Sequence, residues 1–265
     1  MNILEVNGLT KQFGGLTAVN DVTFDVERGS ITGLIGPNGA GKTTIFNLVT
    51  GVYKVTGGKI VFDGKEIQNE EAFKIANMGI TRTFQNIRLF KRLTVYENVL
   101  TACQYNANYS LFEAMVFGLV PEKIKRNSRF YREEKLLKEQ AEELMEILGL
   151  QDRRNFIANN LPYGFQRRLE IARALALRPK LLLLDEPAAG MNPEETEKLT
   201  ELIAFIRDKF DLSVLLIEHH MDLVMEICDK IVVLNFGCKL AEGTPKEIQQ
   251  NPEVQKAYLG GGNNA

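Results

Sequence analysis

A glycine-rich segment, Gly-Pro-Asn-Gly-Ala-Gly-Lys-Thr at residues 36–43, has the residue types and spacing that surround the phosphates of a nucleotide. Its glycines let backbone N–H groups approach phosphate oxygens without Cβ clashes, and a helix start adds a positive dipole end. Lys42 would reach the β- and γ-phosphates, and the Thr43 hydroxyl would bind Mg²⁺. The sequence predicts a strand before the segment and a helix after it. This context favours phosphate binding over a glycine-rich loop that only reverses the chain direction. The predicted binding residues are Gly36, Pro37, Asn38, Gly39, Ala40, Gly41, Lys42, Thr43 and Thr44.

Two carboxylates end the apolar run at residues 181–184. Asp185, at the end of the expected strand, would hold Mg²⁺ through water. Glu186 would face a different direction and accept a proton from an attacking water. Strands often end in solvated acids, but the phosphate-binding segment upstream favours the hydrolytic interpretation of this pair.

The two histidines of the chain, His219 and His220, follow the next expected strand. An exposed pair at a strand end is usually polar surface, but the carboxyl ends of parallel strands form the ligand-binding edge of a sheet. We favour His219, the nearer to the strand, as a hydrogen-bond partner of a γ-phosphate. No third ligand shares the spacing of the pair, which disfavours a metal site. Gln85 lies where the strand pattern changes to a helical pattern, so it could contact both Mg²⁺ and a moving helical block.

The elements that must position these residues follow from the hydrophobic periodicity. Residues 1–35 alternate apolar and polar side chains, which predicts a hairpin or a small antiparallel sheet. Helical periodicity runs from about residue 95 to 148, and strands then alternate with helices, as is typical of a parallel α/β sheet. We therefore expect an α/β core in two parts, residues 1–87 and 166–265, separated by a helical subdomain at residues 88–165.

Composition and charge disfavour several other functions. The formal net charge of −2 gives no basic surface for nucleic acid. Three cysteines without metal or disulfide spacing are typical of a reducing compartment. The early acidic residue Glu5 argues against a signal peptide, and the apolar stretches are too short to span a bilayer. We expect a cytosolic protein unless a partner holds it at a membrane, with a disordered tail at residues 260–265.

Together these motifs resemble the nucleotide-binding subunit of an ATP-binding-cassette (ABC) transporter, in family order and over nearly the whole chain. The resemblance implies an α/β fold, a P-loop NTPase (RecA-like) core with a small antiparallel β subdomain and an inserted α-helical subdomain. It also implies ATP and Mg²⁺ as ligands, and a signature loop at residues 161–166 that binds the ATP of a second chain. The implied site residues are Glu186, His219 and Gln85 for catalysis, Thr43, Gln85 and Asp185 for Mg²⁺, and Phe13 (stacked on adenine), residues 36–44, Tyr163 and Gly164 for ATP.

A closer resemblance, to the ATPase subunits of branched-chain amino acid importers, covers residues 13–20, 82–90, 167–175, 185–193 and 243–260. Residues 104–132 are similar to the extra helical insertion of the larger of the two ATPases in those importers. The resemblance implies a peripheral subunit at the cytoplasmic face of the inner membrane that powers uptake of leucine, isoleucine and valine. It implies as partners a second ATPase subunit, identical or different, two membrane permeases and, indirectly, an extracytoplasmic solute-binding protein, but no nucleic acid.

Alternative functions stay open at this point. Urea and amide importers share much of this pattern, and a lipid exporter ATPase is a second possibility. A non-transport ABC ATPase usually needs basic surface or two cassettes in one chain, and this chain has one cassette and a slightly negative charge. The intact Asp185, Glu186 and His219 disfavour a module that binds nucleotide without turnover. From position alone, the permease would dock on residues 88–93 and part of 95–117.

The signature loop departs from the family pattern Leu-Ser-Gly-Gly-Gln, because residues 161–166 are Leu-Pro-Tyr-Gly-Phe-Gln. Pro162 offers a γ-phosphate neither a hydroxyl nor a backbone N–H. Phe165 replaces an amide with a ring that could pack against the helical block. Proline suits a helix start, so we expect the fold to survive. We hypothesise that this loop supports the partner's ATP less well than the consensus loop does.

Overall fold

The structure, a computed structural model, describes residues 1–107, 109 and 128–259. Contacts between Cα atoms divide the chain into two compact units. The first, which we name the sheet unit, comprises Met1–Gln85 and Pro179–Ala265, and the second, the helical unit, comprises Asn86–Arg178. Within the described residues, no helix is both long and apolar enough to cross a lipid bilayer.

The described strands all lie in the sheet unit, whereas both units contain helices. The described strands are β1 (Asn2–Phe13), β2 (Leu16–Glu27), β3 (Ile31–Ile35), β4 (Gly57–Phe62), β5 (Lys65–Glu66), β6 (Ile80–Arg82), β7 (Leu181–Asp185), β8 (Ser213–Ile217), β9 (Lys230–Asn235) and β10 (Cys238–Gly243). The described helices are α1 (Lys42–Val49), α2 (Ala72–Met78), α3 (Val95–Cys103), α4 (Arg129–Ile147), α5 (Tyr163–Ala176), α6 (Pro193–Phe210), α7 (Met221–Ile227), α8 (Pro245–Gln250) and α9 (Pro252–Leu259). Of these helices, α3, α4 and α5 belong to the helical unit.

Two sheets form the sheet unit, and the sequence predicts both. One is antiparallel, in the order β2-β1-β4-β5, and the other has the order β10-β9-β3-β8-β7-β6 and is parallel except for its edge strand β10. The predicted α/β core with a small antiparallel sheet and a helical insertion is therefore confirmed. In the parallel sheet Asp185 lies opposite Ile217, and Arg82 lies opposite Leu183. This register brings the carboxyl ends of β6, β7 and β8 to one edge of the sheet.

The central strands are apolar because both faces of the parallel sheet are covered. Every residue of β3, β7 and β8 is buried, which explains their continuous apolar runs. One buried cluster joins both sheets and α1, and it includes Leu9, Phe24, Phe46, Ile60 and Leu183. The apolar face of α1 is therefore fixed in the core, and this packing fixes the position of the segment from which α1 starts.

The helical unit is built on α3, α4 and α5, which pack against one another. α3 begins with a capping box, in which the Glu97 N–H donates to the Thr94 hydroxyl and the Thr94 N–H donates to the Glu97 carboxylate. Ser128 caps α4 by accepting a hydrogen bond from the Tyr131 N–H. α5 begins after Pro162, and no side chain caps it.

α5 lies in the helical unit, so this unit ends later in the chain than the sequence predicts. The sequence pattern ends the helical subdomain at residue 165 and assigns residues 166–178 to the core, whereas the contacts place Asn86–Arg178 in one unit. The physical reason is packing, since Ile171 and Leu175 of α5 are buried and α5 contacts α3 and α4.

Some expectations fall partly or wholly outside the described residues. The expected insertion at residues 104–132 is described only in part, with a 3₁₀ turn at Gln104–Asn106 and the start of α4. The expected docking segment at residues 95–117 is described mainly in its first part, which is α3. The tail at residues 260–265 lies outside the described residues.

Candidate nucleotide-binding site

The glycine-rich segment connects β3 to α1, and two of its glycines are required by close backbone neighbours. Gly36 has a φ of +149°, and a Cβ there would lie 2.2 Å from the carbonyl oxygen of Leu234. Gly41, the N-cap of α1, has a φ of +99°, and a Cβ there would lie 2.8 Å from the carbonyl oxygen of Ala18. A side chain at either position would displace the loop, so its shape depends on glycine at both.

The start of α1 leaves backbone donors without protein partners. No side chain caps α1, and no described residue accepts a hydrogen bond from the backbone N–H of Lys42, Thr43 or Thr44. These residues line a cleft of about 200 Å³. The cleft is lined by Ala18, Asn38, Gly39, Ala40, Gly41, Lys42, Thr43, Thr44, Glu186 and His219. An uncapped helix start is an anion site, and this volume suits the phosphates of a nucleotide, since pockets for whole small molecules usually exceed about 300 Å³.

Lys42 folds back over the loop and is almost fully buried. Its Nζ donates hydrogen bonds to the carbonyl oxygens of Gly36 at 2.7 Å and Pro37 at 3.0 Å. Burial lowers the pKa of Lys42 from its ordinary value, while the carboxylates of Glu186 and Asp185 act in the opposite direction. A phosphate in the cleft would give this ammonium group a charged partner, which binds more strongly than two carbonyl oxygens.

Asp185 ends β7 with one of its carboxylate oxygens engaged. Its Oδ2 accepts a hydrogen bond from Arg82 Nη2 at 2.6 Å, and both side chains are buried. No described residue hydrogen-bonds to Asp185 Oδ1 or to the hydroxyl of Thr43, which is exposed in the first turn of α1. Carboxylate, hydroxyl and amide oxygens are the ligands that Mg²⁺ prefers, so Asp185, Thr43 and Gln85 have the chemistry to hold this ion.

Glu186 has hydrogen-bond partners on both carboxylate oxygens. Gln85 Nε2 donates to Oε2 at 2.7 Å, and His219 Nε2 lies 2.9 Å from Oε1. The φ of Glu186 is +48°, a left-handed conformation that is uncommon for residues other than glycine and that often marks functional sites. Because of this turn, the neighbouring carboxylates of Asp185 and Glu186 bind different partners. The structure thus brings together Gln85, Glu186 and His219, which the sequence predicts one by one.

Three further residues of this site are not predicted from the sequence. Arg82 Nη1 donates to Asn47 Oδ1 at 2.6 Å, so one guanidinium contacts both α1 and β7. Glu218 is buried and accepts hydrogen bonds from the backbone N–H groups of Ala188 at 2.7 Å and His219 at 2.8 Å, which fixes the backbone that carries His219. For Arg82 and Glu218 the sequence does contain a signal, which is a charged residue at the end of an apolar strand. Burying an unpaired charge is costly, so such a residue indicates a partner nearby.

Phe13, the expected adenine-stacking residue, ends β1 and is 42% exposed. Its ring packs edge-on against Tyr53, with centroids 5.2 Å apart, and Lys11 Nζ lies 4.8 Å from its centroid. The described residues that line the cleft do not include Phe13. Its stacking role therefore stays a prediction.

The signature residues lie at the start of α5 in the helical unit. No described residue accepts a hydrogen bond from the backbone N–H of Tyr163 or Gly164. Pro162 is the N-cap, with a φ of −53° that suits proline. The Arg153 guanidinium lies 3.6 Å from the centroid of the Phe165 ring. Phe165 therefore packs on an arginine of its own unit and offers no polar group at the helix start.

Known proteins resemble this chain over nearly its full length. The family model "ABC transporter" matches residues 19–189, and the model "Branched-chain amino acid ATP-binding cassette transporter" matches residues 238–263. The chain is 52% identical to the high-affinity branched-chain amino acid transport ATP-binding protein BraF of Pseudomonas aeruginosa, over 97% of this chain and 98% of that protein. It is 47% identical to the corresponding protein LivG of Escherichia coli, with the same coverage. A solved structure, the ADP conformation of an ATP-binding cassette of an ABC transporter, matches with a TM-score of 0.82 and 32% identity over 98% of this chain and 99% of that one.

Proposed function

Since the chain belongs to the ABC transporter ATP-binding family, we propose that it is the ATP-hydrolysing subunit of an importer for branched-chain amino acids. The observation that carries the proposal is the 52% identity, over 97% of the chain, to a protein whose name states that transport function. The C-terminal family match at residues 238–263 supports the same substrate class. In this proposal the subunit works at the cytoplasmic face of the inner membrane and is bound to two permeases. A solute-binding protein delivers the amino acid to these permeases from the other side of the membrane.

The sheet unit carries the hydrolytic chemistry. Lys42 and the unpaired N–H groups at the start of α1 bind the β- and γ-phosphates of ATP. Asp185, Thr43 and Gln85 would hold Mg²⁺, whose positive charge would offset the charge that develops on the phosphates. Glu186 accepts a proton from the water that attacks the γ-phosphorus while the bond to the ADP oxygen breaks.

The two hydrogen bonds of Glu186 restrain it as a base. Gln85 and His219 each contact one of its oxygens, and such hydrogen bonds fix the orientation of a carboxylate and make it less basic. Binding of ATP gives both partners an alternative, because His219 can hydrogen-bond the γ-phosphate and Gln85 can turn to the ion. The arrangement therefore supports a resting state in which Glu186 is restrained until the nucleotide draws its partners away.

A second ATPase subunit, identical or different, completes each ATP site in our proposal. Tyr163 and Gly164 of one chain contact the ATP that the other chain binds. The unpaired N–H groups of these residues and the dipole of α5 support this role. Pro162 and Phe165 limit it, because neither adds a side-chain donor for a phosphate.

The permease docks, in our proposal, on residues 88–93 of the helical unit. Phe90 is 45% exposed, and its backbone is fixed by the Asn98 side chain, which bonds to both its N–H and its carbonyl oxygen. Arg173 donates to the Arg88 carbonyl oxygen and lies against the Phe90 ring. A fixed backbone that exposes a large apolar side chain is a suitable contact surface for another protein. Alanine at Leu89 and Phe90 should weaken permease assembly or uncouple transport, and unchanged assembly and transport would contradict this docking site.

The test of the function uses the complex purified from its native membrane. After its subunits are identified, the complex is reconstituted in lipid vesicles with its solute-binding protein, and phosphate release is measured with different solutes. We expect leucine, isoleucine or valine to stimulate hydrolysis, and the Glu186→Gln variant to lose roughly 10²-fold or more of it, because it lacks the base. Stimulation by urea, an amide, a sugar or a lipid, but not by these amino acids, would refute the substrate class. A wild-type complex that does not hydrolyse ATP would refute the enzymatic role.

A further inference from the structure

The Arg82 guanidinium lies in a buried position between three elements of the sheet unit. Its Nη2 donates to Asp185 Oδ2 and its Nη1 donates to Asn47 Oδ1, each at 2.6 Å. The side chains of Arg82 and Asp185 are 6% and 4% exposed. The guanidinium carbon lies 5.3 Å from the Phe46 ring centroid and 4.9 Å from that of Phe84, so aromatic rings restrict its position further.

The two hydrogen bonds of Arg82 connect the parts of the site that must meet the same ion. Asn47 follows Thr43 by four residues on α1, so both lie on one face of that helix. Asp185 ends β7, and Arg82 ends β6. One planar fork therefore sets the spacing between the helix that carries Thr43 and the strand that carries Asp185.

The chain between Arg82 and Gln85 is hydrogen-bonded through Thr83 to β7, the strand that Asp185 ends. The Thr83 N–H donates to the Leu183 carbonyl oxygen at 2.9 Å, and the Asp185 N–H lies 3.5 Å from the Thr83 hydroxyl oxygen. A change at Arg82 would therefore be transmitted to the three residues expected to surround the ion, which are Thr43, Gln85 and Asp185.

We propose that Arg82 is a positioning residue for the ATPase reaction, which holds Asp185 by Oδ2 so that Oδ1 stays available for the ion at a fixed distance from Thr43. The proposal rests on the proposed nucleotide-hydrolysing function. Stability alone is a weak explanation of this pair, because a buried ion pair often stabilises a fold no better than apolar residues of similar volume. A lysine would keep the charge, but its compact ammonium group lacks the planar fork that reaches both Asn47 and Asp185.

The test compares Arg82→Lys with the wild-type full-length chain in binding experiments that need no turnover. Mn²⁺ is the probe for the ion, and its binding to the protein with a non-hydrolysable ATP analogue is measured from the loss of the free Mn²⁺ paramagnetic resonance signal. Affinity for the analogue alone is measured by fluorescence in the presence of EDTA. The matched control is Arg28→Lys, because Arg28 forms an ion pair of the same length, 2.6 Å, with Asp63 on the exposed surface.

We expect Arg82→Lys to weaken Mn²⁺ binding at least tenfold and to change metal-free nucleotide affinity less than twofold. Arg28→Lys should change neither. Asn47→Ala, which removes only the tie to α1, should weaken Mn²⁺ binding severalfold, and it serves as the test if Arg82→Lys does not fold.

Two results would overturn the inference while leaving the proposed function intact. One is wild-type Mn²⁺ affinity in the Arg82→Lys or Asn47→Ala variant. The other is an equal loss of metal-free nucleotide affinity, which would show that Arg82 maintains the loop and not the ion site. A wild-type chain that binds no nucleotide would instead refute the proposed function, and the inference with it.

Discussion

The starts of α1 and α5 lack side-chain caps and leave backbone donors without a partner among the described residues, and the starts of α2 and α7 also lack side-chain caps. Among the described residues, nothing accepts from the N–H groups of Lys42, Thr43 and Thr44 in α1, or from those of Tyr163 and Gly164 in α5. Water or an anion can satisfy such donors, and at α1 the glycine-rich loop and the adjoining cleft favour an anion. The comparison separates what the backbone supplies from what the side chains add.

The side chains around the two starts differ in the charge that they offer. α1 adds the Lys42 ammonium group and the exposed Thr43 hydroxyl. At α5, Pro162 has no hydroxyl, Arg153 packs on the Phe165 ring, and Arg167 is buried in an ion pair with Glu170 at 2.7 Å. The dipole and the two N–H groups are therefore the main attractions for an anion at α5, whereas α1 has the same features and a dedicated cation. We infer that α1 binds phosphate strongly and that α5 assists weakly.

The largest expected effect comes from removing the cation that distinguishes α1. Lys42→Ala should lower the rate of ATP hydrolysis by the assembled complex by roughly 10²–10³-fold, because preorganised donors at developing charge contribute about this much. Phosphate release at saturating ATP measures the effect. Lys59→Ala is the control, since Lys59 forms an exposed pair with Glu66 and should have no effect. A loss smaller than tenfold for Lys42→Ala would show that the backbone of α1 binds phosphate without its cation.

An intermediate effect is expected from giving α5 the donors that it lacks. Pro162→Ser with Phe165→Gln should raise the ATP turnover of the assembled complex about tenfold, because a hydrogen bond to a charged group contributes about 1.5–3 kcal/mol and about 1.4 kcal/mol is a factor of ten in rate. The gain should appear on the ATP bound by the partner chain. Pro245→Ser, at the first position of α8, is the matched control and should leave turnover unchanged. Unchanged turnover in the double variant would mean that α5 already supports ATP fully.

The sequence predicts the parts of the site that depend on local spacing. Residues 36–43 and the pair Asp185 and Glu186 follow from patterns within a few neighbouring positions. In the structure residues 38–43 and Glu186 line the cleft, and the Asp185 carboxylate acts electrostatically on Lys42. The pairing of Arg82 with Asp185 spans 103 residues and its pairing with Asn47 spans 35. Such contacts depend on strand order and register, which no local pattern specifies, so they become visible only in the folded sheet.

The boundary of the helical unit is a second feature that local sequence patterns do not predict, because it depends on how helices pack. The sequence pattern shows an amphipathic helix at α5, and the alternation of strands and helices assigns residues 166–178 to the α/β core. The apolar face of a helix does not specify its neighbour, however. In the structure Ile171 and Leu175 are buried and α5 contacts α3 and α4, so the unit extends to Arg178.

The smallest expected effect concerns α3, which lies in the helical unit together with α5. Unlike α5, α3 begins with all of its backbone donors paired. The Val95 and Tyr96 N–H groups donate to the carbonyl oxygens of Phe156 and Arg154, and the Glu97 N–H donates to the Thr94 hydroxyl. Thr94→Ala should lower the free energy of unfolding by about 1 kcal/mol, as loss of an N-cap usually does, while Thr94→Ser should keep it. Urea unfolding followed by circular dichroism measures the change.

The pH dependence of this effect follows from the capping box. Hydrogen bonds from the Thr94 backbone and hydroxyl hold the pKa of Glu97 below its ordinary value. This part of the stability is therefore present above the unfolded pKa, about 4.3, and is lost as the pH falls through the lower folded pKa. The difference between wild type and Thr94→Ala should narrow at acidic pH.

Unlike Thr94→Ala, Pro162→Ser should leave the free energy of unfolding nearly unchanged. A gained cap of about 1 kcal/mol offsets the lost restriction of the unfolded chain, which is about 0.4–1 kcal/mol for proline, so stability should change little. If Thr94→Ala changes stability without turnover and the Pro162 variant changes turnover without stability, then the open start of α5 serves the ligand and the closed start of α3 serves the fold. A Pro162→Ser variant that gains a full 1 kcal/mol or more of stability would instead show that α5 lacks only an ordinary cap, which would end its comparison with α1.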